Sequence, residues 1–410
     1  MPNLFNKKLY ILILIPVILL ILGFALGEDL STGGSKSDFI RTFPIIIDFS
    51  NFEYSKINQY TRHAPFHYFL LSIPQYIFNN IYAVKILYLI FSLTLPFILY
   101  LNLKKIYKYD SINLLIVAIS FLYLPYFRSS SIWPNAHLTS LIFLLLANYY
   151  YLLTSAKKNF LHIFLNILFL SCATYSMQSY VIFFIYYLSN YFIKSNKKDF
   201  FKIMCICFAC SIPGFFIILN TQAVSKLEFT SNIYYTLITN LSITFFFLCF
   251  LILNPKNFKI IKNCLYKIKI REIIFIIFAF SFLVLNFDYN FLRGGGFFYK
   301  LSNFILKNNI IFYIAAFFGF LTTYLLYKKD KKLIIAIILV NLTAISYNTF
   351  QKYFEPLLLI TIFVFYKNFL TENILSKIKY ALLYYFIVFS YFVIAIINNY
   401  NNFSRNLIIN

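Results

Sequence analysis

Ionisable side chains that could carry out chemistry gather in one segment near the amino terminus of this chain. Asp38 follows the first apolar run, and His63 and His67 come later in the same segment. A carboxylate held at a membrane surface can act as a general base toward a hydroxyl group, a role worth about 10²–10⁴ in rate. Glu28 and Asp29, an acidic pair at the end of the apolar run, are alternative bases. The segment therefore contains groups suited to proton transfer.

The two histidines also have a metal-binding and a purely structural interpretation. His63 and His67 are four residues apart and would share one face of a helix, as metal ligands often do. No acid or third histidine stands at ligand spacing, so we predict no metal site. Pro65 favours the first turn of a helix, where a missing N–H costs nothing. We expect a helix over 66–78, too short to cross a membrane and suited to lie along its surface.

The composition shows what kind of protein must position these groups. Hydrophobic residues make up 61% and charged residues 12% of the chain, against about 45–50% and 25% in globular proteins. The net charge of +23 comes from lysines in short segments between apolar runs. This is the positive-inside pattern of membrane proteins and not a basic stripe for nucleic acid. We therefore expect membrane lipids around the protein and no nucleic-acid partner.

The apolar runs predict an all-α, polytopic transmembrane helix bundle of about thirteen spans, forming a single domain over residues 1–410. The predicted spans are 9–26, 82–103, 112–127, 137–154, 160–176, 180–193, 200–220, 233–253, 273–287, 310–327, 333–347, 355–369 and 381–397. Lys7 and Lys8 place the amino terminus in the cytoplasm. The Asn-, Ile-, Lys- and Tyr-rich usage is typical of AT-rich bacterial genomes and suggests a bacterial inner membrane. The longest outward segment, about 27–81, carries the candidate acids and short interfacial helices, so we expect the active face to be periplasmic.

This arrangement resembles the GT-C glycosyltransferases, above all the protein O-mannosyltransferases and aminoarabinose transferases. The shared features are an amino-terminal helix, a long outward segment with an early acid, and a His-Pro motif entering a surface helix. The Asp of the family's Asp-Glu pair corresponds to Asp38, with Phe39 in place of the second acid. The family's His-Pro-Pro motif corresponds to His63-Ala64-Pro65. The resemblance is specific over residues 1–80 and only architectural afterwards.

The resemblance implies an inverting transfer of a sugar from a polyprenyl-phosphate-linked donor to an envelope glycan or lipid acceptor. Asp38 would be the base, although the departure at Phe39 leaves Glu28-Asp29 open. No cofactor is implied, and a divalent ion at the donor phosphate stays open. His63 and His67 would position the phosphate or sugar. Cations on the outward side would bind the phosphate: Arg41, Arg62, Arg128, Arg293, Lys300 and Lys352.

Other functions fit parts of the same pattern. The outward arginines are also compatible with snorkelling to lipid headgroups. A polymerase or ligase of O-antigen or capsule would also have many helices, but its large loop is expected late in the chain. A transporter or flippase is expected to have ionisable residues at mid-membrane and an internal repeat, which we do not find in the sequence.

Overall fold

A computed structural model describes residues 2–31, 34–53, 63–156, 159–220, 233–287, 294–344 and 350–409. Every regular element within these ranges is helical, which confirms the all-α prediction. The backbone divides into two compact units, one formed by 1–227 and 388–410 and the other by 228–387. The single-domain prediction stays a prediction.

The first unit contains α1 to α11 within its described residues. These are α1 Pro2–Ala25, α2 Gly34–Ser50, α3 Phe66–Phe78, α4 Ile81–Ser92, α5 Thr94–Ile106, α6 Ser111–Ser120, α7 Pro125–Ile132, α8 Ala136–Ala156, α9 Phe160–Ser176, α10 Phe183–Lys194 and α11 Lys197–Asn220. The second unit contains α12 Ile233–Ile252, α13 Pro255–Leu265, α14 Ile270–Leu285, α15 Gly296–Leu306, α16 Ile310–Lys329, α17 Lys331–Thr343, α18 Leu357–Val364 and α19 Phe369–Leu375. The last helix, α20 Ile378–Ile409, begins in the second unit, and its residues from Val388 belong to the first.

Six helical segments among the described residues are long and apolar enough to cross a membrane. They are Ile81–Ile106, Ala136–Ser155, Lys197–Phe216, Tyr234–Ile252, Ile310–Lys329 and Ile378–Asn399. Two bent helix pairs raise the number to eight if each pair forms one span. The chain is therefore an α-helical protein suited to a membrane, and the larger count of thirteen stays a prediction.

Two of the predicted spans are broken in the structure. The span expected over 112–127 bends by 67° between Tyr123 and Pro125. Pro125 lacks an N–H and disfavours a helical conformation at Leu124, whose backbone is extended, so α6 cannot continue into α7. The span expected over 355–369 is similarly broken by an 87° bend before α19. Asn368 caps this new helix by accepting a hydrogen bond from the Thr371 backbone N–H at 3.1 Å.

The segment after α1 contains two helices, and the sequence predicted the bounds of one of them. α3 spans Phe66–Phe78, as expected, and Pro65 immediately precedes it. The bounds of α2 were not predicted, although Phe39, Thr42, Ile46 and Phe49 are buried at helical spacing. α2 packs against α3, and these two helices carry Asp38 and His67.

Buried amides fix the contacts between helices of the first unit. Asn148 on α8 donates to Asn102 Oδ1 on α5 at 2.9 Å, and Tyr187 on α10 donates to Asn148 Oδ1 at 3.1 Å. Hydrogen bonds between membrane helices contribute about 0.6–2 kcal/mol each. These bonds join α5, α8 and α10 to one another.

Candidate functional site

The centre of the candidate site is an ion pair between Glu28 and Arg128. Arg128 Nε donates to Glu28 Oε1 at 2.7 Å, and Nη2 donates to Oε2 at 2.7 Å. The Arg128 side chain is 1% exposed and that of Glu28 is 16% exposed. Two-point pairing of this kind fixes geometry as well as charge. It satisfies both oxygens of the Glu28 carboxylate.

Local backbone features bring these two residues together. Pro125 opens α7, which carries Arg128 back toward the end of α1, where Arg128 Nη2 also donates to the Leu19 carbonyl oxygen at 2.8 Å. A Cβ on Gly23 would lie 2.7 Å from both Arg128 Nη2 and Glu28 Oε2, so only glycine leaves room for the pair. The guanidinium carbon lies 4.4 Å from the ring centroid of Phe392.

Trp133 extends this centre on its other side, where two lysines meet its ring. The indole N–H donates to the Glu28 carbonyl oxygen at 3.0 Å. Lys85 Nζ lies 3.7 Å from the ring centroid and Lys36 Nζ lies 5.3 Å from it. We call Glu28, Lys36, Lys85, Arg128 and Trp133 the tryptophan cluster.

Neither lysine of the tryptophan cluster has a hydrogen bond or ion pair from its ammonium group to any described residue. Lys85 is only 6% exposed, and its ammonium faces aromatic rings, those of Trp133, Phe24 and Tyr82. Cation–π contacts contribute about 0.5–2 kcal/mol, whereas burial of an ion costs several kcal/mol. The cluster therefore has an excess of positive charge, which would favour binding of an anion.

Asp29 has a structural role at the start of α2. Its Oδ1 accepts a hydrogen bond from the Ser31 backbone N–H at 2.9 Å, and its Oδ2 accepts one from the Lys36 backbone N–H at 2.8 Å. Such bonds satisfy the free N–H groups of a helix start. Both oxygens of this carboxylate are thus used in placing α2, and with it Lys36.

Asp38 lies on the outer side of α2, away from the helix's buried face. Its side chain is 34% exposed, and Oδ1 lies 3.1 Å from Arg41 Nη2 in a pair whose arginine is 67% exposed. Beside it is an open depression of about 410 Å³ lined by Lys36, Ser37, Ile40 and Arg41. The Asp38 side chain is therefore about twice as exposed as that of Glu28.

The histidines separate into a buried and a partly exposed one. His67 Nδ1 lies 2.8 Å from Thr139 Oγ1, and Tyr88 OH lies 3.0 Å from the same oxygen. Burial, with a smaller contribution from the nearby His63, lowers the pKa of His67 to about 3. His67 is consequently a neutral hydrogen-bonding group that joins α3 to α8. His63 lies nearer the surface, and its ring centroid is 6.3 Å from that of His137.

Two of the other predicted cations lie in the second unit. Lys300, on α15, is exposed, and Lys352 lies 5.3 Å from the ring centroid of Phe350; both belong to the second unit. Arg62 and Arg293 lie outside the described residues. Of the six predicted phosphate-binding cations, the structure therefore brings Arg128 to the candidate site and Arg41 to its edge.

The two lysines of the tryptophan cluster were not predicted as site residues. Lys85 was hidden inside the apolar run 82–103, where a lone lysine is itself a signal, because an ionisable residue in such a run is costly. Lys36 looks like an ordinary loop lysine in the sequence, and only the position of α2 brings it beside Trp133. His137 could not be linked to His63 without the fold.

No metal-binding group of three or more His, Cys, Asp or Glu side chains occurs among the described residues. No protein family, characterised protein or solved structure matches the chain. The geometry of the site is therefore the basis for assigning a function.

Proposed function

We propose that this protein is a membrane glycosyltransferase of GT-C type. It takes a sugar from a polyprenyl-phosphate-linked donor and transfers it, with inversion, to a hydroxyl group of an envelope glycan or lipid. The observation that carries the proposal is the pair of lysines on Trp133, because neither ammonium has an anionic partner in the described part of the chain. A phosphate group would complete this arrangement.

The charges of the first unit support a phosphate in this position. Arg128 is already neutralised by Glu28, whereas Lys36 and Lys85 are not neutralised by any described carboxylate. Ammonium groups act as point charges for phosphate. The phosphate of the donor gains negative charge as its bond to the sugar breaks and polyprenyl phosphate leaves, so the lysines would stabilise the transition state more than the ground state.

Asp38 is the base that the side-chain environments favour. Glu28 has both oxygens bound to Arg128, and Asp29 has both bound to backbone N–H groups. Either carboxylate would have to give up one of these bonds before it could accept a proton from an acceptor hydroxyl. The Asp38 side chain is more exposed than that of Glu28, and Asp38 adjoins the depression lined by Lys36 and Arg41.

The proposed reaction is a single displacement. The acceptor hydroxyl oxygen attacks the anomeric carbon while its proton passes to the Asp38 carboxylate. The bond from the anomeric carbon to the phosphate oxygen breaks, and polyprenyl phosphate leaves with the electron pair. The new glycosidic bond lies on the opposite face of the sugar, which gives inversion.

The orientation in the membrane forms part of the proposal. The amino terminus would lie in the cytoplasm of a bacterium, the thirteen spans would cross the inner membrane, and the segment from α1 to α3 would face the periplasm. The lysine-rich segments between apolar runs support this orientation through the positive-inside rule.

Two other functions remain as alternatives. A polymerase or ligase of envelope polysaccharide would use the same cations to hold a lipid diphosphate. A flippase for lipid-linked sugars would need the anion site to be open to both sides of the membrane in turn. Turnover separates them from the proposal, because only the transferase converts a lipid monophosphate sugar into a glycoside and free polyprenyl phosphate.

Binding of a short-chain polyprenyl phosphate to the purified protein tests whether the two lysines on Trp133 bind a phosphate group. We expect Lys85→Met to weaken binding about tenfold to a hundredfold, because hydrogen bonds to charged groups contribute about 1.5–3 kcal/mol. Lys197→Met, which changes an exposed lysine at the start of α11, serves as the matched control and should bind as the wild type does. Unchanged affinity of Lys85→Met, or equal affinity of the wild type for uncharged polyprenol, would overturn the assignment.

A further inference from the structure

Helix α13 of the second unit carries positive charge that described acids do not balance. Exposed basic residues on α13 and just after it are Lys259, Lys262, Lys267, Lys269 and Arg271. Of the acids nearby, Glu272 pairs with Lys328 at 2.7 Å. Asp330 caps α17 by accepting a hydrogen bond from the Lys332 backbone N–H at 3.1 Å. The lysines of α13 have neither of these carboxylates as a partner.

An apolar flank runs beside the lysines of α13. Phe258 is 57% exposed and Leu265 is 45% exposed. They are seven residues apart, so they lie on the same side of the helix. Asn257 and Ile261 are buried and form the side that faces the protein. The helix therefore has three sides, one toward the protein, one apolar and exposed, and one basic.

Hydrogen bonds hold this surface in place. Asn257 Nδ2 donates to the Leu251 carbonyl oxygen at 2.8 Å and to the Leu370 carbonyl oxygen at 3.0 Å. Asn373 Nδ2 donates to Asn257 Oδ1 at 2.8 Å. Asn254 caps the helix by accepting from the Lys256 N–H at 3.0 Å. The arrangement of charge and apolar surface is thus formed before any partner binds.

Helix α16 shows at which end of the second unit this surface lies. Lys328, near the end of α16, pairs with Glu272 just after α13. α15 lies at the other end, because Ser302 Oγ accepts from the Ile311 N–H at 3.1 Å at the start of α16. α16 has 20 residues, enough to cross the hydrocarbon of a bilayer at about 1.5 Å per residue. If α16 crosses a membrane, α13 and α15 are on its opposite sides.

We propose that α13 lies on the membrane surface and binds the headgroups of anionic phospholipids. Lys259, Lys262 and Lys267 contact the phosphates, while Phe258 and Leu265 enter the interface between headgroups and acyl chains. A basic side beside an apolar side is the pattern of helices that bind anionic membrane surfaces. The exposed apolar flank is what favours a lipid over a soluble polyanion.

Lipid binding by the full-length protein in neutral detergent tests this proposal. Native mass spectrometry would measure the bound fractions of phosphatidylglycerol and phosphatidylcholine supplied in equal amounts. We expect the wild type to prefer phosphatidylglycerol. The triple variant Lys259→Gln/Lys262→Gln/Lys267→Gln should lose that preference by roughly tenfold or more, since each lysine near an anionic surface is worth about fivefold.

A matched triple variant removes the same charge from the same unit. Lys300→Gln/Lys307→Gln/Lys352→Gln changes lysines outside α13, two of them at the α15 end of α16, and should keep the wild-type preference. An undiminished preference in the α13 variant, or an equal loss in both variants, would overturn the assignment.

A second measurement distinguishes lipid from free phosphate. Millimolar inorganic phosphate should not displace phosphatidylglycerol from the wild type, and Phe258→Gln/Leu265→Gln should weaken phosphatidylglycerol binding although no charge is removed. Complete displacement by phosphate, or full binding by the double variant, would show a general anion site and contradict the lipid proposal.

Discussion

Arg128 donates a hydrogen bond of 2.7 Å to each carboxylate oxygen of Glu28, a residue 100 positions away in the sequence. The pair joins the end of α1 to α7, the short helix that follows the bend at Pro125. It also fixes the backbone of Glu28, whose carbonyl oxygen receives the indole N–H of Trp133. Because Trp133 in turn contacts the two lysines, the ion pair positions the whole tryptophan cluster.

Removal of one partner of this pair should destabilise the protein strongly. We expect Arg128→Met to lower the free energy of unfolding by about 3–5 kcal/mol, since it leaves the partly buried Glu28 carboxylate without its cation. Denaturant unfolding in detergent measures the change. Arg41→Met removes an arginine that is 67% exposed and should cost less than about 1 kcal/mol. Similar losses in both variants would contradict the structural role of the buried pair.

A methyl group at Gly23 should disturb the same pair without changing any charge. In Gly23→Ala the new Cβ would lie 2.7 Å from Arg128 Nη2 and from Glu28 Oε2, so the pair must shift. We expect a loss of about 1–3 kcal/mol, typical of overpacking, measured as a lower midpoint of thermal unfolding. At Gly34 the nearest atom to an added Cβ is Ser31 Oγ at 3.4 Å, so Gly34→Ala is the control and should be nearly neutral. A Gly23→Ala midpoint equal to that of the wild type would be evidence against the close approach.

His67 should make stability depend on pH in the acid range. Its pKa falls from 6.5 to about 3 on folding, so below about pH 6.5 the unfolded chain binds a proton that the folded chain does not. Stability is therefore full above about pH 6.5 and is lost as pH falls toward 3, at up to about 1.4 kcal/mol per pH unit. Unfolding midpoints between pH 4 and 7.5 measure the slope. His67→Gln, which can still bond to Thr139, should flatten it, and an unchanged slope would assign the effect to other groups.

The sequence predicted well those features that depend on local patterns. Both ends of the helix over 66–78 were predicted correctly, because a short apolar run begins directly after Pro65 and ends at Phe78. The bounds of helix α2 were missed because charged residues interrupt its apolar positions, so its spacing was less visible than its polarity. The bend at Pro125 was not predicted but could have been, since a helix usually ends at the residue before a proline.

The partners of the site residues depend on contacts that the sequence does not contain. Glu28 and Asp29 were predicted as alternative bases to the preferred Asp38, and the structure pairs one carboxylate with Arg128 and uses the other to cap α2. Their roles follow from residues up to 100 positions away and from a helix whose bounds were not predicted. The contact of Lys85 with Trp133 likewise depends on tertiary structure, because it results from the packing of α4 against α7.

The lipid-linked sugar that accumulates when the gene is deleted tests the proposed reaction most directly. We expect a polyprenyl-phosphate sugar to build up in the deletion strain and to be cleared by the wild-type gene. A gene encoding Asp38→Asn should fail to clear it, since loss of a general base slows transfer by about 10²–10⁴. Asp110→Asn, which changes an exposed acid before α6, should clear it fully when expressed at the same level. An unchanged lipid profile in the deletion strain, or clearance by Asp38→Asn at the wild-type rate, would contradict the account.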